Sequence, residues 1–398
     1  MSDSNPMIVV TGGGSGGHIT PVLAVADAIK HASPAVQVVY IGQRGDKLGD
    51  LGAGHATIDH AYVVSAGKFR RYHGLGWRQI FKVRTMLLNI RDAFRVIAGI
   101  VQSVMLLRRL RPSVIFIKGG FVGVPVGLAA AWLGIPFVTH DSDALPGLAN
   151  RIVAKWAQLH TVAMPKDIYP YPPEKTITVG VPIAAQYSQA GPAVIVSARQ
   201  TLGLSTDALV VLIAGGGLGS RVINQALEQG LVALLQEYPK LTIVQQAGRA
   251  HVDQITKHYD SLLTQADRKR VRVVGYVSNM HDYVAAADLV VTRAGATNLT
   301  ELAVAHRACI VVPNPYLTGG HQLANARVLA DRDAVELLEE TAMTHDPRSL
   351  SRAISRLLND PGRREALSNA ISAFAVQDAS TKLAHILLDF CTPKSGSQ

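Results

Sequence analysis

The sequence is poor in cysteine, in long apolar runs and, over one stretch, in acid. Among 398 residues there are two cysteines, Cys309 and Cys391, too few for a disulfide framework and without metal-ligand spacing. A reducing compartment is therefore expected. No apolar run reaches the roughly 18 residues that a membrane-spanning helix needs. The runs at 96–107 and 127–138 are too short. The first residues, MSDSNPMIVV, lack a basic segment followed by a long apolar core, which argues against a secretory leader and for a cytosolic protein. Charged residues make up only 17% against 48% apolar, which excludes wholesale disorder, and the length allows two domains with full cores.

Acid is nearly absent from residues 68–111, where eleven Lys and Arg face a single Asp92. That local excess equals the net charge of the whole chain, +10, so the remainder is formally neutral. The same stretch carries Phe69, Trp77, Phe81, Leu87, Ile90 and Phe94. Basic residues among apolar ones suit an anionic membrane surface, where each Lys or Arg adds about 1 kcal/mol. Nucleic acid would attract the same charges, and a solvated helix face would also show them.

Short Val- and Ile-rich runs alternate with helical patterns in both halves, which predicts α/β domains with parallel sheets covered on both faces. Each half opens on a strand, a glycine loop and a helix: TGGGSGGH at 11–18 and AGGGLGSRVIN at 214–224. The reading is two Rossmann-like domains, with ligands at the carboxyl ends of the strands and both loops facing one cleft. Residues 1–183 form the first domain and 184–365 the second. A helix within 366–398 returns to the first domain and a disordered tail follows. The proline-rich segment 169–188 is the linker candidate.

Gly12-x-Gly14-x-x-Gly17 matches a dinucleotide fingerprint, but the next strand runs into Gly42-Gln43-Arg44 with no acid for a ribose, which disfavours a nicotinamide cofactor. A small-residue loop opening a helix still offers N–H groups to an anion. His18, where loop meets helix, is placed to act as a general base or simply to hold the loop. Asn298-x-x-Glu301 reads either as a capping box or as a helix start whose Glu301 accepts from ribose hydroxyls. His321, Gln322 and Asn325 offer polar groups to a sugar. In HDSDALPGLAN (140–150), His140, Asp141 and Asp143 are acid/base or sugar-binding candidates, with Asp143 a helix cap in the other reading.

Together, GGSGGHITP (13–21), GGFVGVP (119–125), HDSDALPGLAN, GGGLGSRVIN, RAGATNLTE (293–301) and HQLANA (321–326) resemble, in order, the motifs of the MurG-type glycosyltransferases. The resemblance implies the GT-B architecture. It further implies transfer of N-acetylglucosamine from UDP-N-acetylglucosamine to the lipid-linked muramyl pentapeptide, lipid I, giving lipid II for peptidoglycan, and hence for cell wall, shape and division. It implies an inverting, metal-independent reaction without a cofactor, at the cytoplasmic face of the inner membrane, with 68–111 as the membrane-associating patch and no nucleic-acid partner. Carried over by motif, His18 is the base, and Ser15, Gly16 and Gly17 approach the donor. Val277 meets uracil, Glu301 the ribose, Ala296, Thr297, Asn298, Leu299 and Thr300 the diphosphate, and Gln322 the sugar. Asp143 and Gly217 complete the substrate-binding set.

Five positions depart from the family pattern: Asp143 replaces an Asn, Asp141 a Glu, Gly217-Leu218 a Ser-Gln pair, and Ala184 an Arg. They leave open another UDP-sugar, another lipid acceptor such as a diacylglycerol, or a UDP-sugar-binding scaffold without catalysis. A UDP-N-acetylglucosamine 2-epimerase on the same fold would need cleft acids and no basic patch.

Overall fold

The computed structural model describes residues 5–13, 16–45, 52, 54–67, 83–183, 186–216, 219–316 and 318–392. The chain divides into two compact units, residues 1–184 with 376–398, and residues 185–375.

The first unit is built on a seven-stranded sheet, β1 (Met7–Thr11), β2 (Gln37–Gln43), β3 (His60–Val64), β4 (Val114–Ile117), β5 (Phe137–Asp141), β6 (Leu159–Val162) and β7 (Thr176–Thr178). Every pairing is parallel, in the order β3-β2-β1-β4-β5-β6-β7. Successive residues of a strand face opposite sides, so a strand covered on both faces must be apolar throughout. Ile8, Val10, Val38, Tyr40, Val114 and Phe116 pack on one face. Val9, Val39, Ile41, Ile115 and Ile117 pack on the other. The covering helices include α1 (Gly16–Ala32), α2 (Val83–Leu110), α3 (Gly123–Leu133) and α4 (Leu148–Val153).

The second unit repeats the plan with β8 (Leu209–Ala214), β9 (Leu241–Gln246), β10 (Val271–Val274), β11 (Leu289–Thr292), β12 (Cys309–Val311) and β13 (Glu336–Leu337). The order is β10-β9-β8-β11-β12-β13, again parallel throughout. Its helices include α5 (Arg221–Glu228), α6 (Ala296–Val304), α7 (His321–Ala330) and α8 (Pro361–Ser372). The last helix, α9 (Ala379–Leu388), belongs to the first unit, where Leu383, Ala384 and Leu387 are buried with Val22, Val25 and Ile29.

Two expectations about chain division need revision. Most of the supposed linker is folded into the first unit: Tyr169 and Tyr171 are buried and Thr176–Thr178 is its edge strand. The second unit keeps the chain to Ala375, past α8, rather than ending at 365. In both sheets the order reverses beside the opening strand, between β1 and β4 and between β8 and β11. Ligands of such sheets bind outside the carboxyl ends of the strands at that reversal.

Candidate active site

In the first unit β1 ends on Thr11, whose hydroxyl donates to the Ile41 carbonyl at 2.7 Å. The Tyr40 hydroxyl then donates to the Gly12 carbonyl at 2.8 Å, fixing the start of the glycine loop. The turn after β4 leans on that loop. Gly120 has φ +82°, and a Cβ there would lie 2.3 Å from the Gly13 carbonyl oxygen. Only glycine satisfies both the backbone angle and the approach. The loop opens α1, with Gly16 and Gly17 in its first turn and Pro21 inside it. Ser15 and the side chain of His18 lie outside the described residues.

At the end of β5 lies a buried polar network. Asp141 at the end of β5 accepts from Gly147 N at 2.9 Å, Asn150 Nδ2 at 3.0 Å and the Tyr171 hydroxyl at 2.8 Å. Burial raises its pKa, against these three donors. His140 is fully buried beside Thr161, and burial together with Lys118 holds its pKa well below the usual histidine range. Asp141 thus holds the 141–147 turn and His140 pairs with the neighbouring strand, where the sequence offered them as acid/base or sugar-binding candidates. Asp143 caps no helix, because α4 starts after Gly147 and it is Asp141 that takes the Gly147 N–H. Asp143 is half-buried, its carbonyl accepting from Tyr169 at 2.9 Å.

In the second unit most motif residues also pin backbone. Gly219, at φ +77°, leaves a Cβ only 2.0 Å from the Ala247 carbonyl oxygen. Ser220 caps α5 by accepting from Ile223 N at 3.3 Å and takes a 2.6 Å bond from Arg293 Nη2. Arg293 also pairs with Glu340 at 2.5 Å. Asn224 donates to the Ala247 carbonyl at 3.0 Å, and Asn325 to Ala294 at 3.0 Å. The buried Asn325 therefore shapes the turn into α6 and is not a sugar donor. Gln322 accepts from Asn314 N at 2.8 Å through its oxygen, leaving its amide nitrogen for another partner. Gly217 and Leu218 lie outside the described residues, as does Ala184.

What remains open to a ligand is α6. Its N-cap is Gly295, with no side-chain cap, so the capping box proposed for Asn298 and Glu301 does not form. The first helical bond runs from Leu299 N to Gly295 O at 3.0 Å, so Ala296, Thr297 and Asn298 carry the orphan N–H groups of the first turn. The Leu299 side chain is in the core. One turn on, the half-buried Glu301 accepts a hydrogen bond from the Tyr187 hydroxyl, and burial pushes its pKa up to about 7. Val277 is half-buried just beyond β10, next to Tyr276, over whose ring the Arg249 guanidinium sits at 4.7 Å.

Residues 8–161 match the glycosyltransferase family 28 N-terminal domain and residues 210–383 its C-terminal domain. A Salinibacter ruber protein named UDP-N-acetylglucosamine–N-acetylmuramyl-(pentapeptide) pyrophosphoryl-undecaprenol N-acetylglucosamine transferase is 33% identical over 389 residues, 98% of each chain. The chain belongs to glycosyltransferase family 28. Among solved structures, MurG of Acinetobacter baumannii superposes on this family 28 transferase with TM-score 0.74 and 25% identity, over 96% of this chain and 99% of that one. UDP-GlcNAc 2-epimerase from Neisseria meningitidis, bound to UDP-GlcNAc, gives TM-score 0.63 at 14% identity over 96% and 100% of the two chains, a likeness of fold alone.

Sequence reasoning missed Tyr187 and Lys118 in this transferase. Tyr187 sits in a stretch read as linker. Lys118 directly follows the apolar strand β4, and a lysine ending a buried strand ahead of Gly-Gly was the available signal.

Proposed function

We propose that the protein transfers N-acetylglucosamine from UDP-N-acetylglucosamine to the lipid-linked muramyl pentapeptide lipid I, forming lipid II. The observation that carries this reading is the pairing on α6 of an uncapped helix start with a half-buried carboxylate one turn away. The orphan N–H groups of Ala296, Thr297 and Asn298 suit a diphosphate, and the helix dipole favours its charge. Glu301 then lies a turn further on, where a ribose would present two hydroxyls as donors. Val277 would meet the uracil, and the free amide nitrogen of Gln322 the sugar.

The reaction inverts the anomeric carbon in one displacement. His18, at the start of α1, takes the proton of the acceptor hydroxyl as that oxygen attacks C1. UDP departs with its new charge held by fixed backbone donors, so no metal is required for that role. By motif, Ser15, Gly16 and Gly17 are assigned to the donor, and Asp143 to the substrate-binding set.

A lipid-linked acceptor calls for a membrane-facing surface, and α2 supports that reading. Ile90, Phe94, Ile97, Val101 and Met105 recur every three or four residues and are 48–69% exposed, an unburied apolar stripe along one helix face. Arg91, Arg95, Arg108 and Arg109 flank it, and Trp132 extends it beneath the Arg108 guanidinium. Residues 68–82 of the basic stretch lie outside the described residues. No helix among the described residues is long and apolar enough to cross a membrane. The stripe favours a peripheral mode over the nucleic-acid reading, because nucleic acid offers no home for five aliphatic and aromatic side chains.

The test is a transfer assay with purified protein, UDP-N-acetylglucosamine and a short-chain lipid I analogue, read by mass spectrometry. A product heavier by one N-acetylhexosamine is expected. UDP binding without product would turn the reading to another acceptor or to a scaffold.

A further inference from the structure

Glu301 stands in the middle of α6, where the helix needs no side-chain cap, and burial works against its charge. A neutral residue would pack there more readily, so the fold does not ask for a carboxylate. What the fold does supply is a partner for it. The Tyr187 hydroxyl donates to Glu301, and burial together with the charge of Glu301 keeps that phenol protonated and hence a donor. The Tyr187 ring stands edge-on to the ring of His281, with centroids 6.1 Å apart and planes at 77°.

The chain that carries Tyr187 is itself tied down. Further along it, the Ala190 carbonyl accepts from Arg307 Nη2 at 3.0 Å, and Ala190 N donates to Ala305 O at 3.4 Å. Arg307 is buried, and its Nη2 also donates at 3.0 Å to Ala285 O, near the end of the helix Met280–Ala286 that holds His281. Tyr187 meets α6 at Glu301 and Ala190 meets the chain just past its last turn, so the segment runs along the helix and is fastened at both ends. A tyrosine mounted in this way has little freedom, and it passes that restraint to the carboxylate it bonds. Left alone, a glutamate samples several rotamers through its torsions. One donor on one lone pair leaves the other acceptor sites open and fixes where they point.

We infer that Tyr187 is a positioning residue for the donor: it holds Glu301 in the orientation that accepts from both ribose hydroxyls, and so sets a preference for the ribonucleotide over its 2′-deoxy counterpart. This rests on the donor assignment above, in which Glu301 meets the ribose. The two hydroxyls sit on adjacent carbons, and an acceptor must hold one orientation to serve both. Order present before the ligand arrives spares binding the entropy of fixing that side chain. Tyr187 acts through Glu301 and takes no part in the displacement.

The experiment titrates UDP and 2′-deoxy-UDP by calorimetry into the full-length wild type, Tyr187→Phe, Glu301→Ala and the double variant. A pH of about 9 keeps Glu301 ionised, so that a change of protonation does not mask a change of orientation. Phe keeps the ring against His281 and removes only the hydroxyl. Tyr187→Phe is expected to bind UDP about tenfold more weakly, with a smaller loss for 2′-deoxy-UDP, so the preference shrinks. Glu301→Ala should lose the preference, and adding Tyr187→Phe to it should cost nothing further, because Tyr187 then has nothing left to hold. The ratio of the two affinities in one preparation does not depend on the fraction folded, and Tyr187→Leu, also without the hydroxyl, gives a second reading of it. If Tyr187→Phe weakens both nucleotides alike, or weakens UDP as much in the Glu301→Ala background as alone, Tyr187 serves the fold or an independent contact and the inference falls. It falls too if Tyr187→Phe binds both as wild type does. Failure of the donor assignment looks different: wild type that does not bind UDP, or Glu301→Ala that binds it as well as wild type, and the inference goes with it.

Discussion

The two sheets share one strand order and one glycine-loop plan, but they use their polar residues differently. In the second unit Ser220, Asn224, Arg293 and Asn325 are all bonded to backbone or to one another around the ends of β8, β9 and β11. That leaves a rigid frame from which one carboxylate and one uncapped helix emerge. The first unit holds a loop in the same manner through Asp141, Asn150 and Tyr171, but it also buries a cation, Lys118. Exposed apolar residues differ too. In the first unit five line up on α2, while in the second Val194, Val196, Leu262, Tyr276 and Tyr316 are scattered. The contrast teaches that a motif letter marks scaffold as readily as chemistry. The chemistry is found where polar groups are left over.

If the first unit serves the acceptor and the second the donor, substitutions should divide the same way. The largest effect is expected from His18→Ala, which should lower turnover by about 10²–10⁴-fold while leaving UDP affinity unchanged. Steady-state rates and UDP calorimetry on one preparation check it, and near-normal turnover would move the base elsewhere. Next comes Gly219→Ala in the glycine loop of the second unit. Its positive φ and the 2.0 Å approach to Ala247 O leave no room for a methyl group, so unfolding should cost about 3 kcal/mol less, read by urea denaturation. Unchanged stability would mean that the loop relaxes, and that the frame is less rigid than its hydrogen bonds imply.

Glu301 tests the donor side without touching the frame. Glu301→Ala should weaken UDP about ten- to a hundredfold with little change in KM for the acceptor. Its carboxyl, raised to about 7 by burial, must be ionised to accept from two ribose hydroxyls. UDP affinity should therefore fall as pH drops through about 7, and Glu301→Gln should flatten that dependence. Tyr187→Phe removes the hydrogen bond that favours the ionised form, so the fall should begin at higher pH. A pH-independent UDP affinity between about 6 and 8 would contradict the role given to Glu301.

Much of this was legible because strands covered on both faces must read as apolar runs, and because close approach at Gly120 and Gly219 admits only glycine. The helix start at α6 was harder. Asn298-x-x-Glu301 has the letters of a capping box, but letters do not reveal that Ala296 and Thr297 are already helical. The proline-rich segment 169–188 read as linker because sequence does not show that Tyr171 stacks on His160 at 3.9 Å within the fold. Lys118 was marked only by its place, at the end of an apolar strand ahead of Gly-Gly, and lysine is ordinarily solvated.

The smallest effects should come from charges along α2, and their ranking separates the apolar stripe from its basic border. Arg91 and Arg95 both reach Asp92, whose side chain is buried, at 3.1 and 3.5 Å, so part of their charge is met within the helix. Arg95→Ala should therefore reduce binding to anionic vesicles by less than the roughly fivefold that a free basic residue near the surface contributes. Phe94, 69% exposed, has no such partner, and Phe94→Ser removes its burial in the lipid, worth about 2 kcal/mol or some thirtyfold in partitioning. Sedimentation with anionic and neutral vesicles reads both variants, and neither should alter UDP affinity, since both lie in the first unit. If Arg95→Ala lost more than Phe94→Ser, attraction between charges rather than insertion would govern the contact. The basic border, and not the stripe, would then supply most of the attraction to the bilayer.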